Sequence, residues 1–262
     1  MRTGAGIGIL ALVVAGCSGS DDSESTSPNP SASTQESLSP DGDSGVAQAQ
    51  STSHIATAKD TSLTVYTAPD GDEQQVVEAD AVLSVPDETP MTFLVKENQG
   101  TWLEVYLPVR PNETTGWVKA EDVALSSTDF SVEVGLDDFS LTVFEGTDAV
   151  LTTDIGVGTT DHPTPGGVYY IRELLQPPTD DGPYGTYAYG LSGYSPTLDS
   201  FNGGEAIIGM HGTNEPESIG DYVSSGCIRM TNDVISEIVL EVGLPLGTPV
   251  YISDEIAPLD SV

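Results

Sequence analysis

Residues Ile207 to Asp233 read IIGMHGTNEPESIGDYVSSGCIRMTND, and the fold turns on how this stretch is parsed. Ala206 to Met210 is a short apolar run, the pattern of a buried strand, and it ends at His211. Gly212, Gly220 and Gly226, with Pro216, mark an irregular connection. After Cys227 the period changes. Val234, Ile235, Ile238, Val239 and Val242 recur with helical spacing. Asn232 is the expected N-cap, Asp233 suits the first turn, and Gly243 is the expected stop. The stretch therefore reads as a strand ending in histidine, a glycine-bearing loop carrying cysteine, and a helix.

The sequence has only two cysteines, Cys17 and Cys227. Met1 to Gly16 places Arg2 before the apolar run Ile7 to Ala15, a signal-peptide profile too short for an ordinary membrane span. Val14-Ala15-Gly16-Cys17 resembles a bacterial lipobox, which implies cleavage before Cys17 and lipidation of its thiol and new amine. The alternatives are an ordinary signal peptide with an incidental cysteine, or an uncleaved anchor. With Cys17 lipidated, Cys227 has no disulfide partner in an exported protein, and a lone extracytoplasmic thiol asks for a reason. Nucleophilic catalysis with His211 as base is one reason. A buried structural thiol and a satisfied structural histidine account for the spacing equally well.

The surroundings of Cys227 carry further chemistry. Gly226 removes a side chain beside the thiol, and the successive amides of Ser225, Gly226 and Cys227 can form an oxyanion pocket. From residue 129 onward the only basic side chains are Arg172 and Arg229. Arg229, two residues past the thiol, can favour a thiolate or hold a substrate carboxylate.

The wider pattern resembles the L,D-transpeptidase family, whose catalytic domain is the YkuD-like domain. The residues that carry the resemblance are His211-Gly212-Thr213, Asn214-x-Pro216, Ile219-Gly220 and Ser224-x-Gly226-Cys227-Ile228-Arg229-Met230. Fifteen residues separate His211 from Cys227, which suits the family. Upstream, Gly156-Val157-Gly158, Pro163 to Tyr169, Tyr187 to Ser192 and Gly203-Gly204 extend the match to about residues 129–253. The resemblance implies Cys227 as nucleophile, His211 as base and the Gly212 carbonyl as the group that orients the imidazole. Arg229, Thr213 and Ser224 are the expected substrate-binding and loop-supporting residues. One position departs from the commonest form: Ser225 stands where histidine is frequent, leaving His211 as the only credible base.

What the resemblance implies is acyl transfer through a thioester. Cys227 attacks the carbonyl of the third residue of a peptidoglycan tetrapeptide stem, releases D-alanine, and an amine on a neighbouring stem resolves the acyl-enzyme into a 3→3 cross-link. A carboxypeptidase would use the same residues with water as acceptor. A non-catalytic wall-binding lipoprotein is the reading from another class. An NlpC-type endopeptidase is disfavoured because there the cysteine precedes the histidine. Read without the resemblance, the residues support an exported cysteine acyl transferase or hydrolase.

Around this centre the chain divides by composition. Residues 1–16 are the expected signal peptide. Residues 17–53 hold Cys17 and a Ser/Asp/Pro-rich stretch without apolar periodicity, expected to be a disordered tether with a reach of about 30–35 Å. Residues 54–127 read as short strands: Leu63 to Tyr66, Met91 to Val95, Trp102 to Tyr106 and Gly116 to Lys119. Gly100-x-Trp102-x-x-Val105 and Gly116-Trp117-Val118 resemble a bacterial SH3-like domain, and at least one of Trp102 and Trp117 is expected to fill its core. Residues 128–254 add strands at Ser131 to Val134, Ser140 to Phe144, Ala149 to Val157, Val168 to Leu175 and Thr248 to Ile252. Residues 255–262 form a tail. The expected fold class is mostly β: a small SH3-like barrel, then an L,D-transpeptidase-type β-sandwich with one helix after the cysteine.

Acidic residues number 41 against 7 basic, a formal net charge of −34, and only six of the acids lie between Asp21 and Asp43. The excess therefore sits on the folded part, where it repels nucleic acid and anionic headgroups and suits solvation in a salty medium. No acidic loop has calcium-ligand spacing, and His162 in Thr-Asp-His-Pro-Thr-Pro, far from Cys227 in sequence, reads as a loop residue and not a ligand. Neither a metal nor a cofactor is expected. Expected partners are peptidoglycan stem peptides and, through the lipid anchor, the membrane, with the protein outside the cytoplasm facing the cell wall.

Overall fold

The computed structural model describes residues 52–254. The expected signal peptide, Cys17 and its lipid, all but the last two residues of the tether, and the tail lie outside the described residues.

Seven strands form the first sheet: β1 (Ser53–Ala58), β2 (Ser62–Tyr66), β3 (Glu73–Glu78), β4 (Thr92–Asn98), β5 (Trp102–Tyr106), β6 (Thr115–Lys119) and β7 (Val123–Thr128), in the order β3-β2-β6-β5-β4-β1-β7. The alternating runs read from the sequence are its inner strands, and their inward residues Val65, Phe93, Leu103, Val105 and Val118 are fully buried. The strands that patterning missed include the two edges. β3 and β7 bury only one or two residues each, so ladder hydrogen bonds hold them where apolar alternation does not. Trp102 is buried and meets Tyr66 edge-on at 5.1 Å, while Trp117 is half-buried in register with Tyr66.

The second sheet is built from β8 (Phe130–Gly135), β9 (Ser140–Glu145), β10 (Asp148–Asp154), β12 (Gly167–Leu175), β13 (Ala188–Tyr194), β16 (Ile207–His211), β18 (Ile228–Arg229) and β19 (Pro249–Ser253). Their order is β10-β9-β8-β19-β12-β13-β16-β18. Two short pairs stand beside it: β11 (Val157–Gly158) with β17 (Tyr222–Ser224), and the hairpin β14 (Ser200–Phe201) with β15 (Gly204–Glu205). Ala149 to Val157 is therefore not one strand. The ladder with β9 ends at Asp154, and Ile155 is fully buried where the chain leaves the sheet for β11. The fold is mostly β, as expected.

One helical segment follows the cysteine, α1 (Asn232–Glu237), continued by a π-helical turn, Ile238–Val242, and stopped by Gly243 at φ 72°. Its N-cap is Thr231, whose Oγ1 accepts from the Val234 amide at 3.4 Å, and not Asn232. Thr231 is the residue with extended backbone, so its hydroxyl and not the next amide faces the open N–H groups. Ile235 and Ile238 bury into the core of the second sheet.

The two sheets lie within one compact unit and meet through polar contacts. The pairing of β12 with β13 shifts register between Ile171 and Glu173. At that bulge Arg172 and Glu173, consecutive and both buried, pair at 3.2 Å. Glu173 also accepts from the amide (2.8 Å) and hydroxyl (3.1 Å) of Ser84, and the Tyr194 hydroxyl donates to the Pro108 carbonyl at 2.6 Å.

Candidate active site

β16 and β18 run parallel, with Met210 opposite Ile228 and His211 opposite Arg229. Side chains alternate along a strand, so His211 and Arg229 share one face, and Cys227, two before Arg229, points the same way. The opposite face delivers Ile208, Met210, Ile228 and Met230 to the core. Alternation thus puts hydrophobes on one side and chemistry on the other. His211, Cys227, Ser224, Ser225 and Arg229 line one open cleft, together with Pro183, Tyr184, Leu198, Phe201, Asn202, Ala206 and Ile207.

The thiol loop is held on both flanks. Gly156 and Arg229 exchange backbone hydrogen bonds at 2.7 and 2.8 Å, and the Thr159 amide donates to the Ser224 carbonyl at 2.9 Å. A side chain on Gly156 would press to 2.8 Å from the Ser218 carbonyl, so the Gly156-Val157-Gly158 motif serves close backbone approach. The Ser224 hydroxyl donates to the Cys227 carbonyl and accepts from the Gly226 amide at 3.1 Å. This revises the expected oxyanion pocket. The Gly226 amide is committed to Ser224, which leaves the Ser225 and Cys227 amides as the candidate oxyanion donors. Gly226 has φ 115°, a conformation closed to residues with a Cβ, so glycine is required there by the turn.

His211 is buried, and its Nδ1 lies 2.6 Å from the Gly212 carbonyl. A carbonyl only accepts, so Nδ1 carries the proton and a neutral ring keeps its Nε2 lone pair for the cleft. Burial pushes the His211 pKa down to about 4, opposed by the Gly212 carbonyl and assisted by the Arg229 charge. Cys227 is half-buried at its surface, yet burial of the sulfur environment pushes the thiol up, countered by the Gly209 amide and by Arg229. Both shifts favour a neutral thiol beside a neutral imidazole over an ion pair.

Arg229 Nη1 pairs with Glu215 at 3.2 Å, and its Nε is buried with no partner. The Glu215 side chain is 60% exposed, so a substrate carboxylate can compete for the guanidinium. Thr213 is buried and works within the chain: its hydroxyl accepts from the Glu215 amide at 3.0 Å. The His162 carbonyl lies beside the thiol loop, 4.0 Å from where a Cβ on Gly226 would stand, and its Nδ1 is 2.9 Å from Thr197 Oγ1. Among the described residues no three His, Cys, Asp or Glu side chains gather as a metal site would require.

Two contributors escaped sequence reading. Tyr184 packs edge-on against His211, ring centroids 4.9 Å apart, whereas Tyr189 and Tyr194 are buried and Tyr187 packs on the core. Pro183-Tyr184-Gly185 sits in an irregular loop with no period to flag it. The second is Asn232. Its Oδ1 accepts from the Thr213 (3.1 Å) and Thr186 (3.3 Å) amides, and its Nδ2 donates to the Asp180 carbonyl at 3.3 Å. One amide thus ties the segment after His211 to the segment carrying Tyr184, and a Cβ on Gly212 or Gly185 would collide with it.

The family model of the L,D-transpeptidase catalytic domain, YkuD, matches residues 129–252. YqjB of Bacillus subtilis, provisionally named an L,D-transpeptidase, is 33% identical over 111 residues, covering 38% of this chain and 58% of that one. YkuD of Bacillus licheniformis, named in the same way, is 36% identical over 124 residues, covering 47% of this chain and 66% of that one. The chain thus spans under two thirds of the length of either. A mutant Enterococcus faecium L,D-transpeptidase is similar at 26% identity and TM-score 0.37, over 48% of this chain and 50% of that one. Over residues 129–252 the chain is thus similar to L,D-transpeptidase catalytic domains of the YkuD type.

Proposed function

We propose that the protein is a peptidoglycan L,D-transpeptidase that forms 3→3 cross-links through a Cys227 thioester. The observation that carries this reading is the convergence of Cys227 and His211 in one cleft, with the His211 tautomer locked by the Gly212 carbonyl.

The cycle follows from that geometry. A tetrapeptide stem enters with its terminal carboxylate toward Arg229. His211 Nε2 takes the thiol proton as Sγ attacks the carbonyl of the third residue. The Ser225 and Cys227 amides stabilise the oxyanion. The tetrahedral species collapses, the C–N bond to D-alanine breaks, and the amine leaves with the proton from His211. A side-chain amine of a neighbouring stem then attacks the thioester, His211 takes its proton, and the Cys227 sulfur departs and is reprotonated. The first sheet is read as an SH3-like domain of the same protein, and Cys17 as the lipid attachment that holds it outside the cytoplasm, facing the wall.

The test is incubation of the full-length protein and its Cys227→Ala variant with purified tetrapeptide muropeptides, followed by mass spectrometry. A 3→3 dimer made by wild type alone is the expected result. Tripeptide and free D-alanine without a dimer would replace transpeptidation by carboxypeptidation. Turnover by a folded Cys227→Ala protein would remove the mechanism.

A further inference from the structure

We propose that Arg110, supplied by the first sheet, is a positioning residue for the catalytic cleft of the second. Arg110 lies in the loop between β5 and β6, remote in sequence from every motif of the second sheet. Its Nη1 donates to the Ser195 carbonyl and its Nη2 to the Leu198 carbonyl, each at 2.8 Å. Its Nε lies 3.6 Å from Glu205. Its guanidinium also stacks over the Tyr194 ring at 4.8 Å.

These partners belong to one device. Residues 195–206 form the flap that carries the β14–β15 hairpin, and Leu198, Phe201, Asn202 and Ala206 of this flap wall the cleft. Ser195 and Leu198 lie on its outgoing arm and Glu205 on its returning arm, so a single guanidinium grips both. A planar fork of five donors suits this task, and an ammonium does not reproduce it. From the flap the contacts continue inward. Asn202 Nδ2 lies 3.5 Å from the Tyr184 hydroxyl, and Tyr184 packs against His211. The first sheet therefore shapes the wall that a stem peptide meets, in addition to anything it binds itself.

The neighbouring loop residues support the brace. Asn112 exchanges hydrogen bonds with the Tyr194 backbone, 2.9 Å in each direction, and Glu113 accepts from the Val168 amide at 3.1 Å. This seats the loop on β12 and β13, so loss of Arg110 frees the flap and leaves the sheets docked. The brace touches neither the thiol nor the imidazole, and its effect belongs in substrate binding and not in the chemical step.

The inference rests on the acyl-transfer reading for its kinetic arm, and amide hydrogen exchange tests it without activity. In full-length Arg110→Ala, exchange at 195–206 is expected to accelerate while the β8, β9 and β12 amides keep their protection. KM for the tetrapeptide stem is expected to rise about 5- to 10-fold with kcat changed less than about 2-fold, and Arg110→Lys should recover only part of the loss. Should Arg110→Ala fold poorly, Glu205→Gln removes the returning-arm contact alone and is expected to shift KM and exchange in the same direction by less. Unchanged exchange with unchanged KM would overturn the proposal. So would a parallel fall in kcat, melting temperature and core protection, which is plain destabilisation. If wild type makes neither product, the functional reading fails, and exchange at the flap decides the brace alone.

Discussion

In the proposed mechanism His211 sets the acid side of the pH profile. Its ring is the base only when neutral, and burial lowers its pKa to about 4. The acid limb of kcat/KM should therefore fall near pH 4, with the rate level from there through neutrality. A limb near the ordinary histidine value would mean that the ring is solvated in the working enzyme. Stability follows the same shift. The unfolded chain takes up this proton near 6.5 and the folded chain only near 4. The contribution is whole above 6.5 and is lost as pH falls toward 4, a difference on the order of 3 kcal/mol. Comparing the pH dependence of denaturant unfolding for wild type and His211→Gln isolates it. Should both curves slope alike between pH 6.5 and 4, burial is not perturbing the ring. Arg229 stands beside this pair and lowers both pKa values, so Arg229→Gln should raise the pH of the alkaline rise in Cys227 alkylation.

The segment from β18 into α1 separates structural from functional parts of one helix start. Thr231 caps the helix, and Thr231→Ala should cost about 1 kcal/mol of stability with little change in turnover. Asn232 does something else. Its amide joins the segment after His211 to the loop of Tyr184, three bonds in a crowded site. Asn232→Ala leaves the Thr213 and Thr186 amides unpaired and should cost about 1–3 kcal/mol. It should also lower kcat/KM by about 10-fold or more through loss of His211 placement. Equal effects of the two substitutions on activity, measured with the same stem peptide, would deny Asn232 this role. The edge strands teach a related lesson: β3 and β7 exist by pairing with neighbours, so propensity and period alone do not reveal them.

The whole molecule carries 41 acidic and 7 basic residues. Only four ion pairs occur among the described residues, and one of them is buried between Arg172 and Glu173. Screening therefore removes much repulsion and little attraction. Raising sodium chloride from about 0.1 M to about 1 M, which shortens the screening length from about 10 to about 3 Å, should raise the melting temperature. A flat or falling melting temperature would show that the acidic surface is already relieved by spacing. No helix among the described residues is long and apolar enough to cross a membrane.

The layout of the candidate site was legible in the sequence because it is local. A strand period ending at His211, glycines around Cys227 and a helical period after it follow from side-chain alternation and turn stereochemistry, which act over a few residues. Strands β2, β4, β5 and β6 and the helix with its Gly243 stop were readable for the same reason. Tertiary structure decided the rest. It chose Thr231 over Asn232 as the cap, because backbone direction at the helix start depends on where β18 ends. It withdrew the Gly226 amide from the oxyanion pocket, because Ser224 folds back onto it. It brought Tyr184 to the imidazole and Arg110 to the flap, contacts between residues 27 and 85 or more positions apart that no local period encodes. It also buried an arginine and a glutamate side by side at a bulge, where Glu173 accepts from Arg172 and Ser84 and Arg172 also reaches the Tyr194 hydroxyl.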